Sequence, residues 1–210
     1  MKADKLGTIV IISSPSGGGK TSICRRLLIA ARKSRQSRDW RFSVSYTTRQ
    51  KRRGETNGRE YFFVTPDEFE RLSRKDFFAE YCRVHLYHYG TPRKPLEKAL
   101  KSGGVMLLDV DVQGAFKLKR EFPQAVTVFV LPPSVAALRS RLKKRGTETE
   151  EQLKIRFENA KKEMKLYYKF EYAVINDDLR TAVQNVACII NSHRCRTENL
   201  YPEQIKRLTG

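Results

Sequence analysis

The chain has 210 residues, 40% of them apolar, and a formal net charge of +19 from 42 Lys/Arg against 23 Asp/Glu. This is enough for one full core with inserted pieces, while no apolar run approaches the length of a membrane-spanning helix. Cys24, Cys82, Cys188 and Cys195 lack Cys-x-x-Cys spacing and indicate neither a zinc site nor a disulfide framework. The opening Met1-Lys2-Ala3-Asp4-Lys5 has no signal-like apolar stretch, so a cytoplasmic, non-membrane protein is expected.

Residues 9–12 form a β-rich apolar run, followed by Ser13-Ser14-Pro15-Ser16-Gly17-Gly18-Gly19-Lys20-Thr21. Small residues let successive backbone N–H groups curl around a triphosphate, the Lys reaches the β/γ-phosphates, and the Thr hydroxyl is placed for Mg²⁺. Ser14 stands where the general pattern has its first Gly, and a flexible surface turn is the bland alternative. Ile23, Leu27 and Leu28 then recur at helical spacing, giving the strand, loop and helix order that a phosphate loop requires.

From residue 42 to 90 the alternation breaks into short aromatic-rich extended pieces at 42–48, 60–64 and 83–89, a small mixed insertion. Thr65-Pro66-Asp67-Glu68 reads as a capping box, and predicts a helix through Phe69 and Leu72. Runs at 105–111, 126–131 and 172–176 are continuous and apolar, as expected for strands covered on both faces of a parallel sheet. Residues 143–162 are highly charged, with a turn and helix start at 145–150, and have the character of a lid. Leu179, Val183, Val186 and Ile190 predict a last helix, with Asp177 or Asp178 as its cap.

Ser43-Val44-Ser45-Tyr46-Thr47-Thr48-Arg49-Gln50-Lys51-Arg52-Arg53-Gly54-Glu55, followed by Asn57-Gly58-Arg59-Glu60-Tyr61-Phe62-Phe63-Val64, resembles the nucleotide-monophosphate signature of guanylate kinases. Leu108-Asp109-Val110-Asp111-Val112-Gln113-Gly114, Arg145-Gly146-Thr147-Glu148 and Ile175-Asn176-Asp177-Asp178 are similar to the later blocks of that family, in order, over roughly residues 7–195. The resemblance implies an α/β fold: a three-layer P-loop core (about 1–41, 92–142 and 163–210), a GMP-binding insertion (about 42–91) and a helical lid (about 143–162). It implies Mg²⁺-dependent transfer of the ATP γ-phosphoryl group to GMP, and to dGMP by analogy, giving ADP and GDP.

The same resemblance places roles on residues. ATP would lie on Ser14, Pro15, Ser16, Gly17, Gly18, Gly19, Lys20 and Thr21, with Asn176 at the adenine; a helix-cap role for Asn176 is the alternative. Ser45, Arg49, Arg52, Tyr61 and Tyr89 would hold the GMP phosphate, which suits guanidinium forks and phenol hydroxyls. For the two tyrosines, packing in a small aromatic core is the competing reading. Glu80, Thr91 and Asp111 would read guanine, whose N1–H and 2-amino group offer donors where adenine offers an acceptor; an exposed surface carboxylate is the plainer reading of Glu80. Thr21 would bind Mg²⁺, and Asp109 would order its water.

Lys20, Arg49, Arg145 and Arg156 would stabilise the transferring phosphoryl group, with Arg141 as a further candidate; the alternative for Arg156 is a surface charge pairing with Glu151 or Gln152. Lys51 stands where the family usually has Pro, and His88 replaces the first Tyr of a Tyr-Tyr-Gly stretch. His85 and His88 lack acidic or Cys partners at ligand spacing, and are read as strand or loop residues.

Between Arg32 and Arg53 nine Lys/Arg accompany the single acid Asp39, and Arg139, Arg141, Lys143, Lys144 and Arg145 form a second cluster. Such runs are solvated faces, anion-steering surfaces or nucleic-acid contacts. Beside a phosphate loop they suit phosphoryl transfer, and no specific nucleic-acid partner is expected. The rival class is a non-catalytic guanylate-kinase-like binding module, which typically lacks the loop lysine or lid arginines present here. A basic nucleic-acid-binding protein is the second rival, with Trp40 and Phe42 its only stacking candidates.

Overall fold

The computed structural model describes residues 6–33, 39–84, 86–143, 150–200 and 205–206. Five parallel strands form the central sheet: β1 (Thr8–Ser13), β2 (Trp40–Phe42), β7 (Val105–Asp109), β8 (Val126–Leu131) and β9 (Tyr172–Ile175), in the order β2-β7-β1-β8-β9. β1 is buried along its whole length, and its side chains alternate between two cores. Val10 and Ile12 pack with Ile23 and Leu27 of α1 (Lys20–Lys33) and with Val186 and Ile190 of α7 (Leu179–Arg194). Ile9 and Ile11 pack with Leu96 of α3 (Arg93–Ser102) and with Ala115 and Leu118 of α4 (Val112–Glu121). Helices on both faces explain why the strands read as unbroken apolar runs.

A second sheet is built from β3 (Tyr46–Thr47), β4 (Phe62–Phe63), β5 (Phe78–Val84) and β6 (Tyr87–Pro92), in the order β4-β3-β6-β5. One face carries an aromatic core: Tyr46 stacks on Phe62 at 4.6 Å, and Phe69 of α2 (Pro66–Arg74) stacks on Phe78 at 4.7 Å. His88 stacks on Phe69 at 5.4 Å, a packing role. A register shift between Phe78 and Glu80 turns the strand, so that Tyr81 joins Phe69 and Phe78 while the opposite face takes Thr47, Glu80, Cys82, Tyr89 and Thr91. Thr65 caps α2 by accepting from the Glu68 N–H at 3.2 Å, as the sequence predicts.

The charged segment begins at the last residue of α5 (Val135–Lys143) and takes in most of α6 (Glu150–Met164), and the two helices pack through Leu138, Leu142 and Ala160. Residues 144–149 lie outside the described residues, and with them the predicted Arg145 and the 145–150 turn up to residue 149.

Four local expectations change. The piece at 42–48 is split: Phe42 pairs with Leu107 in the core sheet, whereas Tyr46 and Thr47 belong to the second sheet. The piece at 83–89 is two strands of a hairpin, paired from Glu80↔Thr91 to Val84↔Tyr87. The β-rich composition marks extended backbone but not the reversal inside it. The strand expected to reach Asp111 ends at Asp109, because Asp111 accepts from the Gly114 N–H at 2.8 Å and caps α4. Finally, Asp178 caps α7, accepting from the Thr181 N–H at 2.8 Å, so the helix-cap reading of Asn176 falls.

Candidate active site

The phosphate loop leaves β1 and enters α1, so the first N–H groups of the helix converge on one concavity. Gly19 sits there with φ +99, in the left-handed region, and a Cβ on it would come within 2.3 Å of Asn176 Nδ2. Asn176 follows β9 and is buried; its Nδ2 donates to the Gly18 carbonyl at 3.0 Å. The amide therefore braces the loop from the far side of the sheet. Arg141, the additional candidate, donates to the Asn176 carbonyl at 2.8 Å, and its Nη1 is buried without a hydrogen-bond partner among the described residues.

Ile12 is in register with Asp109, which brings the end of β7 beside the loop. Lys20 Nζ lies 3.6 Å from Asp109 Oδ1, and the Thr21 hydroxyl donates to Asp109 Oδ2. These oxygens suit a hard cation, but among the described residues no group of three or more His, Cys, Asp or Glu forms a metal cage. A cation here would take most of its ligands from phosphate and water.

Ser16, at the loop's outer side, is engaged by α6. Arg156 donates to Ser16 Oγ at 2.7 Å, and the Ser16 N–H donates to Glu163 Oε2 at 3.2 Å. The predicted lid arginine thus lies against the loop. Glu163 has no role in the sequence reading, although its spacing of seven from Arg156 puts both on one helical stripe.

The residues expected to hold the acceptor sit on and beside the second sheet. Arg49 is buried, its Nη2 donates to both Glu55 carboxylate oxygens at 2.8 and 3.0 Å, and its guanidinium lies 5.5 Å from the Tyr61 ring centroid. Burial works against the Arg49 charge, but the Glu55 carboxylate outweighs it and raises the pKa. Glu55 also accepts from the Arg52 N–H at 2.8 Å, leaving the Arg52 side chain exposed. Glu55 was legible as a carboxylate six residues after Arg49, but spacing gave it no role. Tyr61 and Tyr89 meet edge-on at 5.7 Å, and burial first, then Asp109 and Tyr89, push the Tyr61 phenol up. The Arg25–Glu60 pair at 3.2 Å ties α1, which follows the phosphate loop, to the same insertion. Ser45 is half-buried, and its carbonyl accepts from the Phe62 N–H at 2.9 Å.

Deeper on this face, cross-strand pairing puts Thr91 opposite Glu80, and the Thr91 hydroxyl donates to Glu80 Oε1 at 2.7 Å. Glu80 is 7% exposed, so the surface reading of this residue falls; its Oε2 has no hydrogen-bond partner among the described residues. A Cβ on Gly114 would lie 3.1 Å from Asp111 Oδ1 and 3.3 Å from Glu80 Oε2, so glycine there lets α4 and both carboxylates converge. Burial, and next the Asp111 charge, raise the Glu80 pKa to about 7 against the pull of the Thr91 hydrogen bond.

A sequence model of the guanylate kinase family matches residues 6–193. The guanylate kinase of Caldanaerobacter subterraneus subsp. tengcongensis is 42% identical over 94% of this chain and 93% of its own length. That of Clostridium tetani is 40% identical over 92% and 90%. The crystal structure of guanylate kinase from Anaplasma phagocytophilum superposes with a TM-score of 0.81 at 28% identity, covering 99% of this chain and 97% of that one. Together with the phosphate loop between β1 and α1, these likenesses show that the chain belongs to the guanylate kinase family.

Proposed function

We propose that the protein transfers the terminal phosphoryl group of ATP to GMP, with dGMP as a second acceptor, giving ADP and GDP. The observation that carries this reading is Glu80 Oε2, a buried acceptor without a partner among the described residues, which converges with Asp111 Oδ1 on the space beside Gly114. A guanine N1–H or 2-amino hydrogen satisfies such an oxygen; adenine N1, itself an acceptor, is repelled by it.

Ser14, Pro15, Ser16, Gly17, Gly18 and Gly19 would wrap the ATP phosphates, with Lys20 on the β/γ oxygens and Asn176 toward the adenine. Asn176 has one amide hydrogen and its oxygen left after bracing Gly18. Thr21, with Asp109 through water, would hold Mg²⁺, which when bound offsets phosphate charge. Ser45, Arg49, Arg52, Tyr61 and Tyr89 would orient the GMP phosphate, and Glu80, Thr91 and Asp111 its base. A phosphate monoester is largely dianionic at neutral pH, so the acceptor needs no general base. Catalysis is then alignment and charge stabilisation by Lys20, Arg49, Arg156 and, outside the described residues, Arg145. Arg49 must loosen its pairing with Glu55, or share it, to reach the phosphate.

An ADP-release assay with GMP, AMP, UMP and CMP tests the reading. GMP should be preferred by orders of magnitude, and equal rates with all four would overturn it. A non-catalytic module would release no ADP with any acceptor.

A further inference from the structure

Cys82 has no part in the reaction as derived above, yet it lies in the base pocket. It is two residues from Glu80 on β5, so both side chains share a face, and it is 6% exposed. Its Sγ lies 3.5 Å from Asp111 Oδ1, the oxygen that also accepts from the Gly114 N–H. Burial, and then the Asp111 and Glu80 charges, push the thiol pKa up, so at neutral pH it is a protonated donor. Asp111 is thus fixed by two donors on one oxygen, one from α4 and one from β5. Asp111 Oδ1 and Glu80 Oε2 lie 3.1 and 3.3 Å from the Cβ position missing at Gly114, so the two carboxylates border the same space.

We propose that Cys82 is a positioning residue for base recognition: its S–H locks Asp111 so that two carboxylates, not one, confront the donor edge of a purine monophosphate. The inference rests on the GMP reading and goes beyond it by assigning discrimination at the purine 2-position. Guanine presents three hydrogens on that edge, one on N1 and two on the 2-amino group, whereas hypoxanthine presents only N1–H. Glu80, already anchored by Thr91, can serve N1–H alone. Loosening Asp111 therefore weakens GMP more than IMP.

Cys82→Ala and Cys82→Ser test this as a pair, because both remove the sulfur volume and only Ser keeps a donor. For each, KM and kcat with GMP, KM for ATP, the inhibition constant of IMP against GMP, and the melting temperature are measured. Cys82→Ala should raise the GMP KM about threefold to tenfold, the size of one net hydrogen bond. The IMP constant should move less than about twofold, as should kcat and the ATP KM, and Cys82→Ser should recover most of the GMP affinity. An unmoved GMP KM in Cys82→Ala, an equal loss for GMP and IMP, or a Ser variant as impaired as Ala would overturn the inference alone. Wild-type protein that releases no ADP with GMP overturns the underlying reading and the inference together.

Discussion

Arg156 of α6 donates to Ser16 Oγ at 2.7 Å while Glu163, two turns along the same helix, accepts from the Ser16 N–H. The charged helix is thereby fastened to the loop through one residue, by groups of opposite sign. An entering triphosphate competes with Glu163 for that N–H and attracts Arg156. Glu163→Gln should therefore lower the KM for ATP by about twofold to fivefold, since it removes a negative charge from the phosphate entrance. Steady-state kinetics with ATP varied at saturating GMP will check this, and a raised KM would show Glu163 supporting the loop instead.

Lys20 follows the loop glycines, its ammonium 3.6 Å from Asp109 Oδ1, and is the proposed contact to the transferring group. Lys20→Ala should reduce kcat by about two to four orders of magnitude while the circular dichroism spectrum and melting temperature hold. Unchanged turnover would sink its catalytic assignment.

Gly19 is constrained twice, by φ +99 and by the approach of Asn176 Nδ2 to the site of its missing Cβ. Gly19→Ala should abolish detectable ATP binding by calorimetry. Adding Asn176→Ala should restore it only in part, about fivefold to thirtyfold below wild type, because the backbone conformation stays unfavourable for an L-residue at a cost of about 1–2 kcal/mol. Asn176→Ala alone leaves the Gly18 carbonyl without its amide donor and should destabilise the protein by about 1–2 kcal/mol in denaturant unfolding.

Arg49 and Glu55 form a two-bond pair with both partners largely shielded from water. Removing one charge from a buried pair costs about 3–5 kcal/mol, and the residual exposure of Glu55 brings this to about 1–3. Glu55→Ala should show that loss in urea unfolding, together with a raised KM for GMP. Burial disfavours the Glu55 carboxylate, but Arg49 prevails and lowers its pKa, so the pair's contribution is present above the ordinary Glu range. It fades as acidification carries the pH down through the lowered value.

Glu80 behaves in the opposite sense, since burial and Asp111 raise its pKa to about 7. Between its ordinary value near 4.5 and about 7 the folded state holds more protons than the unfolded state, so this group's contribution to stability declines as pH rises through that window. Base recognition requires the ionised form. The KM for GMP should therefore rise as pH falls below about 7, approaching about tenfold per unit. Titration of the GMP phosphate contributes to the same profile. Glu80→Gln retains that phosphate contribution and should flatten the remainder while eroding the preference for GMP over AMP. A wild-type profile identical to that of Glu80→Gln would remove Glu80 from base reading.

Much of this molecule was legible along the chain. Ile9, Val10, Ile11 and Ile12 announce a strand buried on both faces, the Gly17-Gly18-Gly19-Lys20-Thr21 run announces the phosphate loop, and Thr65 and the Asp177-Asp178 pair announce helix starts. These signals are local, because side-chain size, backbone freedom and capping chemistry act over a few residues. The hairpin reversal between Val84 and Tyr87 was not legible, because β-rich composition runs through it. Nor were the helices α3, α4 and α5 read in advance.

The chain by itself determined the element types of the core, the loop's chemistry and the family signature that points to a purine monophosphate. Only the tertiary structure decided which partners those groups keep: Arg49 with Glu55, Asn176 with Gly18, Arg156 with Ser16, and Cys82 with Asp111. The separations along the chain are 158 residues for Asn176 and Gly18 and 140 for Arg156 and Ser16. No local periodicity encodes such pairings. They arise when strand order brings the carboxyl ends of β1, β7 and β9 to one edge, where burial leaves each polar group only the neighbours that packing supplies.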